Sequence, residues 1–128
     1  MEEQFVTYEV ALKLKKLGFN EPCFGYFLDG DLIVFYSTPI SERTNECLGF
    51  RKLDCTAPTQ ASAQRWFRDK KCIHVESSMY VTNDGLYAYK YEVKDTENYE
   101  VCVIKTNDNY PTYEKALEAG LIETLKIL

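Results

Sequence analysis

The sequence predicts an α+β domain spanning residues 1–128, with one antiparallel sheet of about five or six strands and three helices packed mainly on one face. Three observations carry that reading. Segments with apolar residues at 3–4 spacing open on threonine, at Thr7, Thr59 and Thr112. Runs of aromatic and β-branched residues flank the turn signals Asp29-Gly30 and Asn83-Asp84-Gly85. Ten Tyr and seven Phe supply the broad side chains that pack across a pleated face.

The elements follow in chain order. Thr7 suits an N-cap, its hydroxyl accepting from an N–H two or three residues on, and Glu9 places negative charge in the first turn. A helix from about Thr7 to Leu17 follows, with Val10, Leu14 and Leu17 on its stripe, Lys13, Lys15 and Lys16 near its end, and Gly18 as its stop. From Cys23 to Tyr36, the runs CFGYFL and DLIVFY form a hairpin around Asp29-Gly30. STPISERTNE reads as loop and CLGFRKLDC fits a short third strand, so the type of residues 37–57 stays open.

Pro58 and Thr59 open the second helix, TQASAQRWFRDK, which ends near Lys71 with Ala63, Trp66, Phe67 and Lys70 on one side. HVESSMYVT, LYAYKYEV and YEVCVIKT then read as a three-stranded meander. Tyr87, Tyr89 and Tyr91 alternate with Ala88 and Lys90, so one face carries a column of rings. Pro111 and Thr112 open the last helix, with Tyr113, Ala116, Leu117, Gly120, Leu121, Leu125 and Leu128 on one face. The expected order is α-β-β-(β)-α-β-β-β-α.

The phrase TYEVAL at residues 7–12 returns as TYEKAL at 112–117. All three predicted helices place Ala four residues after the cap: Ala11, Ala63 and Ala116. The threonine satisfies an orphan N–H, and the small residue lets the helix start lie close to a sheet. The repetition is therefore a rule for starting helices.

Composition narrows the function classes. A net charge of -5 argues against a surface that coats nucleic acid or anionic membrane as a whole. No run approaches the roughly 20 apolar residues of a membrane span, and MEEQFVTYEV has neither a basic n-region nor an apolar h-region. Five irregularly spaced cysteines, Cys23, Cys47, Cys55, Cys72 and Cys102, fit reduced thiols better than a disulfide framework. The expectation is a non-exported cytoplasmic protein.

Catalytic signatures are missing: no G-x-G-x-x-G, P-loop, G-x-S-x-G, H-E-x-x-H or EF-hand loop occurs. His74 is the one histidine, and Cys72 two residues before it shares its face on a strand, which reads as plain strand surface. Cys47, Cys55, Cys72 and His74 lack the C-x2–4-C pair of a zinc knuckle, so no metal and no cofactor is expected. Arg65, Trp66, Arg68 and Lys71 interleave cations with an aromatic, a pattern able to grip phosphate and stack a base. Cations at a helix C-terminus and rings turned to the core account for the same residues.

Three further features have two readings each. Tyr87, Tyr89 and Tyr91 suit either a recognition platform or a face buried under helices, and burial is the expectation. Ala116 and Gly120, one turn apart, permit close packing on a sheet or a helix-mediated homodimer. The acidic run Glu92–Glu100 suits a solvated turn better than a mimic of nucleic-acid phosphates.

TYEVAL with LGFNEPCFGYF, APTQASAQRWFRDK and YPTYEKALEAGLIETLKIL resemble phrases of a group of small uncharacterised proteins frequent in phages and prophages of gut Bacteroidetes. Residues 37–57 and 76–100 fall outside the resemblance. It implies a mobile-element origin and a bacterial cytoplasm, and it carries no activity and no site residues. The expected function is a non-enzymatic binding module for a host or phage protein, with Phe24, Tyr26, Trp66 and the tyrosine column as contacts if exposed. The alternative is a protein that binds a nucleotide-like ligand or nucleic acid, with Arg65, Arg68 and Lys71 for phosphate and a tyrosine for stacking.

Overall fold

A computed structural model describes residues 4–34, 44–48, 54–97, 104–105 and 109–128. The chain is α+β and folds as two compact units, Met1–Ser62 and Ala63–Leu128. The expected single sheet is instead two sheets of three strands. Pairing stays within each unit: residues 25–34 and 73–95 each close on themselves across a tight turn, 55–57 returns over a longer connection to the other edge of 25–28, and 104–105 pairs with 92–93.

In the first unit, helix α1 (Tyr8–Lys16) is capped as expected, Thr7 Oγ1 accepting from the Val10 N–H at 3.5 Å. Gly18, at φ 95°, donates to the Lys15 carbonyl, and Phe19 donates to Leu14, the paired bonds of a Schellman stop. Strands β1 (Gly25–Leu28) and β2 (Asp31–Val34) form the predicted hairpin. Asp29 and Gly30 both take the positive φ of a two-residue turn, 51° and 83°. Phe35 and Tyr36 lie outside the described residues, as does most of the open stretch 37–57.

Within that stretch, one helical turn, α2 (Asn45–Leu48), precedes β3 (Cys55–Ala57), which pairs with the other edge of β1. α1 packs on the face carrying Phe27, Cys55 and Ala57, with the Tyr8 ring 5.3 Å from that of Phe27. Asn45 ties the unit from inside: its Nδ2 donates to the Phe19 carbonyl and its Oδ1 accepts from the Thr56 N–H, both at 2.7 Å.

Helix α3 (Gln60–Lys71) starts at Thr59, whose Oγ1 accepts from the Ser62 N–H at 3.2 Å. Ala63, Trp66 and Phe67 are buried as expected, but Lys70 is exposed, since an ammonium stays in water unless paired. In the second unit, β4 (Ile73–Val81), β5 (Tyr87–Asp95) and β6 (Ile104–Lys105) form the predicted meander. The rest of YEVCVIKT lies outside the described residues.

Helix α4 (Tyr113–Ile127), capped by Thr112 Oγ1 accepting from the Lys115 N–H at 3.1 Å, lies on β4 and β5. Ala116, Leu117, Gly120 and Leu121 are buried as predicted. Tyr113 and Leu128 are exposed and Leu125 is half-buried, because the stripe drifts to Thr124. That buried hydroxyl donates back to the Gly120 carbonyl at 2.9 Å. Each sheet thus receives its own helix, in place of three helices on one common face.

A Cβ at Gly120 would stand 2.9 Å from Val75 Cγ1 and 3.1 Å from Tyr91 Cβ. Gly120→Ala gains about 1 kcal/mol of helix propensity and forces an overpacked contact worth roughly 1–3 kcal/mol. The variant is expected to unfold at a lower midpoint than the wild type in thermal melts; a higher midpoint would contradict the close seat of α4.

Candidate functional site

The β4–β5 hairpin displays two faces of different chemistry. Residues opposite one another in an antiparallel ladder share a face, and the register pairs Val75 with Val93, Ser77 with Tyr91, Met79 with Tyr89 and Val81 with Tyr87. This is the apolar face, and α4 covers only one end of it. Val75, Val93 and Tyr91 are buried, Tyr91 being 6% exposed. Toward the turn, Met79 is 56% exposed, Val81 63% and Tyr87 72%; Leu86, the residue before Tyr87 and by alternation on the other face, is 64% exposed.

The helix starts too late to cover that end. Ser77 Oγ donates to the Tyr113 carbonyl at 3.1 Å, and the Tyr113 ring stands edge-on to Tyr89 at 6.4 Å, so the first turn of α4 lies level with Ser77 and Tyr89. The hairpin runs on to Val81 and Tyr87 before turning. The tyrosine column is therefore graded: Tyr91 buried, Tyr89 half-buried and Tyr87 open. Burial, expected for the whole column, holds only where α4 lies.

The opposite face is ionic. Glu76 accepts from Lys94 Nζ at 2.9 Å, with His74 Nε2 at 3.4 Å from its other oxygen, and Glu92 lies 3.5 Å from Lys94 and 3.7 Å from Lys90. The Lys94 ammonium, foremost by its hydrogen bond, holds the Glu76 carboxyl below the usual range, while Glu76 holds Lys94 above its own. Near the turn, a shallow cleft of about 620 Å³ is lined by Tyr80, Thr82, Asn83, Asp84, Lys90 and Asn109. Tyr80 bonds Asn109, and the Thr82 hydroxyl bonds the Asp84 carboxylate and keeps its pKa low. Lys90 Nζ stands 5.9 Å from the Tyr80 ring centre.

The α3 candidates divide. Arg65 and Arg68 are exposed, and Arg68 Nε lies 3.7 Å from the neighbouring Asp69 carboxylate. Trp66 is buried, and Lys71 Nζ sits 5.6 Å from its ring centre, a cation–π contact. No ring on this helix lies open beside the two arginines, since Phe67 is fully buried as well. Phe24 is exposed and Tyr26 half-buried. Glu92 and Asp95 of the acidic run are part of β5, and residues 98–100 lie outside the described residues.

Of the thiols, Cys23 and Cys55 are buried, and desolvation foremost pushes them up to about 11 and about 12. Cys72 is half-buried at a φ of 57°, and the side chains of Cys47 and Cys102 lie outside the described residues. Among the described residues no group of three His, Cys, Asp or Glu side chains is placed to hold a metal ion. The sequence reading missed Met79, Val81 and Leu86 as exposed; the available signal was a strand pair running well past the start of the helix that covers it.

Two measurements follow from these environments. Brief alkylation of the native protein at neutral pH, mapped by peptide mass spectrometry, is expected to label Cys72 well before Cys23 and Cys55, because thiolate and access are both needed. Equal labelling of all three would refute the burial. Since Glu76 has a lowered folded pKa, its contribution is present above the ordinary glutamate value of about 4.3 and is lost as pH falls through the lowered one. Urea unfolding at stepped pH is expected to show a shallower acid loss for Glu76→Gln, small in size because the pair is partly solvated.

Comparison of the chain with protein-family models, with curated proteins and with solved structures finds no match.

Proposed function

We propose that the chain is a non-enzymatic interaction module that binds a host or phage protein through the uncovered end of the β4–β5 apolar face. The observation behind this reading is the group of Met79, Val81 and Tyr87, which share one face of the ladder and are each more than half exposed, with Tyr113 at its border. Scattered exposed apolar residues are ordinary, whereas a contiguous group rimmed by polar side chains marks a contact surface. Tyr87 is the natural anchor: a large ring with a polar tip costs little entropy to immobilise. The resemblance of the helix segments to phage and prophage proteins suggests a bacterial cytoplasm as the setting. Among the described residues no helix is long and apolar enough to cross a membrane.

The alternative, nucleotide or nucleic-acid binding through Arg65, Arg68 and Lys71, has the exposed Arg65 and Arg68 in its favour, but Lys71 is half-buried over Trp66 and α3 carries no accessible ring for stacking.

A photo-crosslinking residue at Leu86, used in the bacterial host, is expected to give a protein adduct that Tyr87→Ser suppresses by roughly tenfold, the scale of an aromatic hot spot. Folding should be unaffected, since the Tyr87 side chain is mostly in water. Absence of an adduct at residue 86, with nucleic acid bound by the wild type and released by a paired Arg65→Glu, Arg68→Glu change, would transfer the function to α3.

A further inference from the structure

Beyond a partner on the apolar face, the backbone of β4 presents a second surface. Tyr89 and Tyr110 exchange both backbone bonds, so the N–H and C=O of Tyr89 point away from β4. Alternation along the ladder then aims His74, Glu76, Ser78 and Tyr80 at β5, and turns the amides and carbonyls of Ile73, Val75, Ser77, Met79 and Val81 to the outer edge. The Val75 carbonyl is occupied, accepting from Gln64 Nε2 at 2.8 Å. Among the described residues nothing bonds the outward backbone groups of Ser77, Met79 and Val81.

This edge also lacks the usual protection. Ser77–Val81 reads SSMYV, without Lys, Pro or any charge, and it runs in unbroken register with β5. Natural edge strands normally carry such a device, or a bulge, to prevent pairing with another chain.

We propose that a second copy of this chain pairs with this edge, β4 against β4 in antiparallel register, about a two-fold axis through Met79. Gln64 ends the free edge at Val75 and the turn ends it after Val81, so Met79 is the midpoint of what remains. In that register Ser77 opposes the partner's Val81 and Met79 opposes its own copy, each pair exchanging two backbone bonds, and every free outward group from Ser77 to Val81 gains a partner. A two-fold centred on Ser77 would instead place Met79 against Val75, whose outward carbonyl Gln64 already occupies. On the apolar face Met79 meets Met79 and Val81 meets Ser77; on the polar face Ser78 meets Tyr80. No like charges face one another along the ladder. The self-complementary, charge-free register favours a second copy over an unrelated strand. The pairing uses backbone, so the apolar faces of the two copies join into one surface.

The test is Met79→Pro, read by native mass spectrometry and sedimentation over a concentration series. The Met79 amide points outward, so its loss costs the intramolecular ladder nothing, and proline is tolerated on an open edge. The wild type is expected at twice the 14.9 kDa chain mass at high concentration, and the variant to dimerise at least roughly tenfold more weakly. Met79→Lys, which keeps the amide and adds an edge charge, should act in the same direction if proline disturbs the fold. Amide exchange of Ser77, Met79 and Val81 should slow as wild-type concentration rises. A monomer throughout, a dimer indifferent to both substitutions, or an unrelated protein strand protecting these amides in place of a second copy would each overturn the proposal. The crosslinking result at Leu86 is separate, so either idea can fail alone.

Discussion

The architecture of the second unit depends on how closely α4 sits on the β4–β5 ladder. Gly120 presents no side chain where Val75 and Tyr91 rise from the sheet, so helix and strands meet at a distance that a methyl group would prevent. Ala116 and Leu121 are buried along the same line. Helix position in turn decides which strand residues stay dry: Val75, Tyr91 and Val93 lie beneath it, and the strand ends beyond its first turn do not. The small residues that, in sequence, equally suit a helix-mediated homodimer are occupied by the chain's own sheet. A partner at that helix face would have to displace β4 and β5.

The first unit solves a different problem with a polar group. Its α2 and β3 come from a stretch with weak secondary-structure preference, and Asn45 gives that stretch a fixed place. One amide side chain satisfies the Phe19 carbonyl after α1 and the Thr56 amide of β3 while buried. A buried amide with both ends paired specifies position more narrowly than an apolar residue of similar volume, because misplacement would leave polar groups unsatisfied. Asp54 works similarly at the hairpin, accepting from the Gly30 amide at 3.1 Å.

Helix starts and tight turns were readable because each rests on chemistry within a few residues. Thr7, Thr59 and Thr112 all cap, Ala11, Ala63 and Ala116 are all buried, and Asp29, Gly30 and Gly85 take the positive φ that their turns require. The division into two sheets was not readable, since six strands pair equally well in one sheet or two as far as alternation can tell. Asn45 looked like loop polarity because nothing local says that both ends of its amide will be met. The tyrosine column shows the same limit. Its shared face follows from spacing, but the gradient from Tyr91 to Tyr87 depends on where a helix some twenty residues later begins.

That order along the chain matters for synthesis. The β4–β5 ladder needs only residues 73–95 and a short turn, so it can zip as soon as Asp95 has emerged, whereas its cover arrives with residues 113–127. Local hairpins close in microseconds while translation adds about 5–20 residues per second. For about a second or more, then, the nascent hairpin holds Val75, Tyr91 and Val93 bare alongside an unguarded strand edge. In the cell this interval, more than the finished fold, is when the chain is most exposed to chaperones and to misassembly with its neighbours on a polysome.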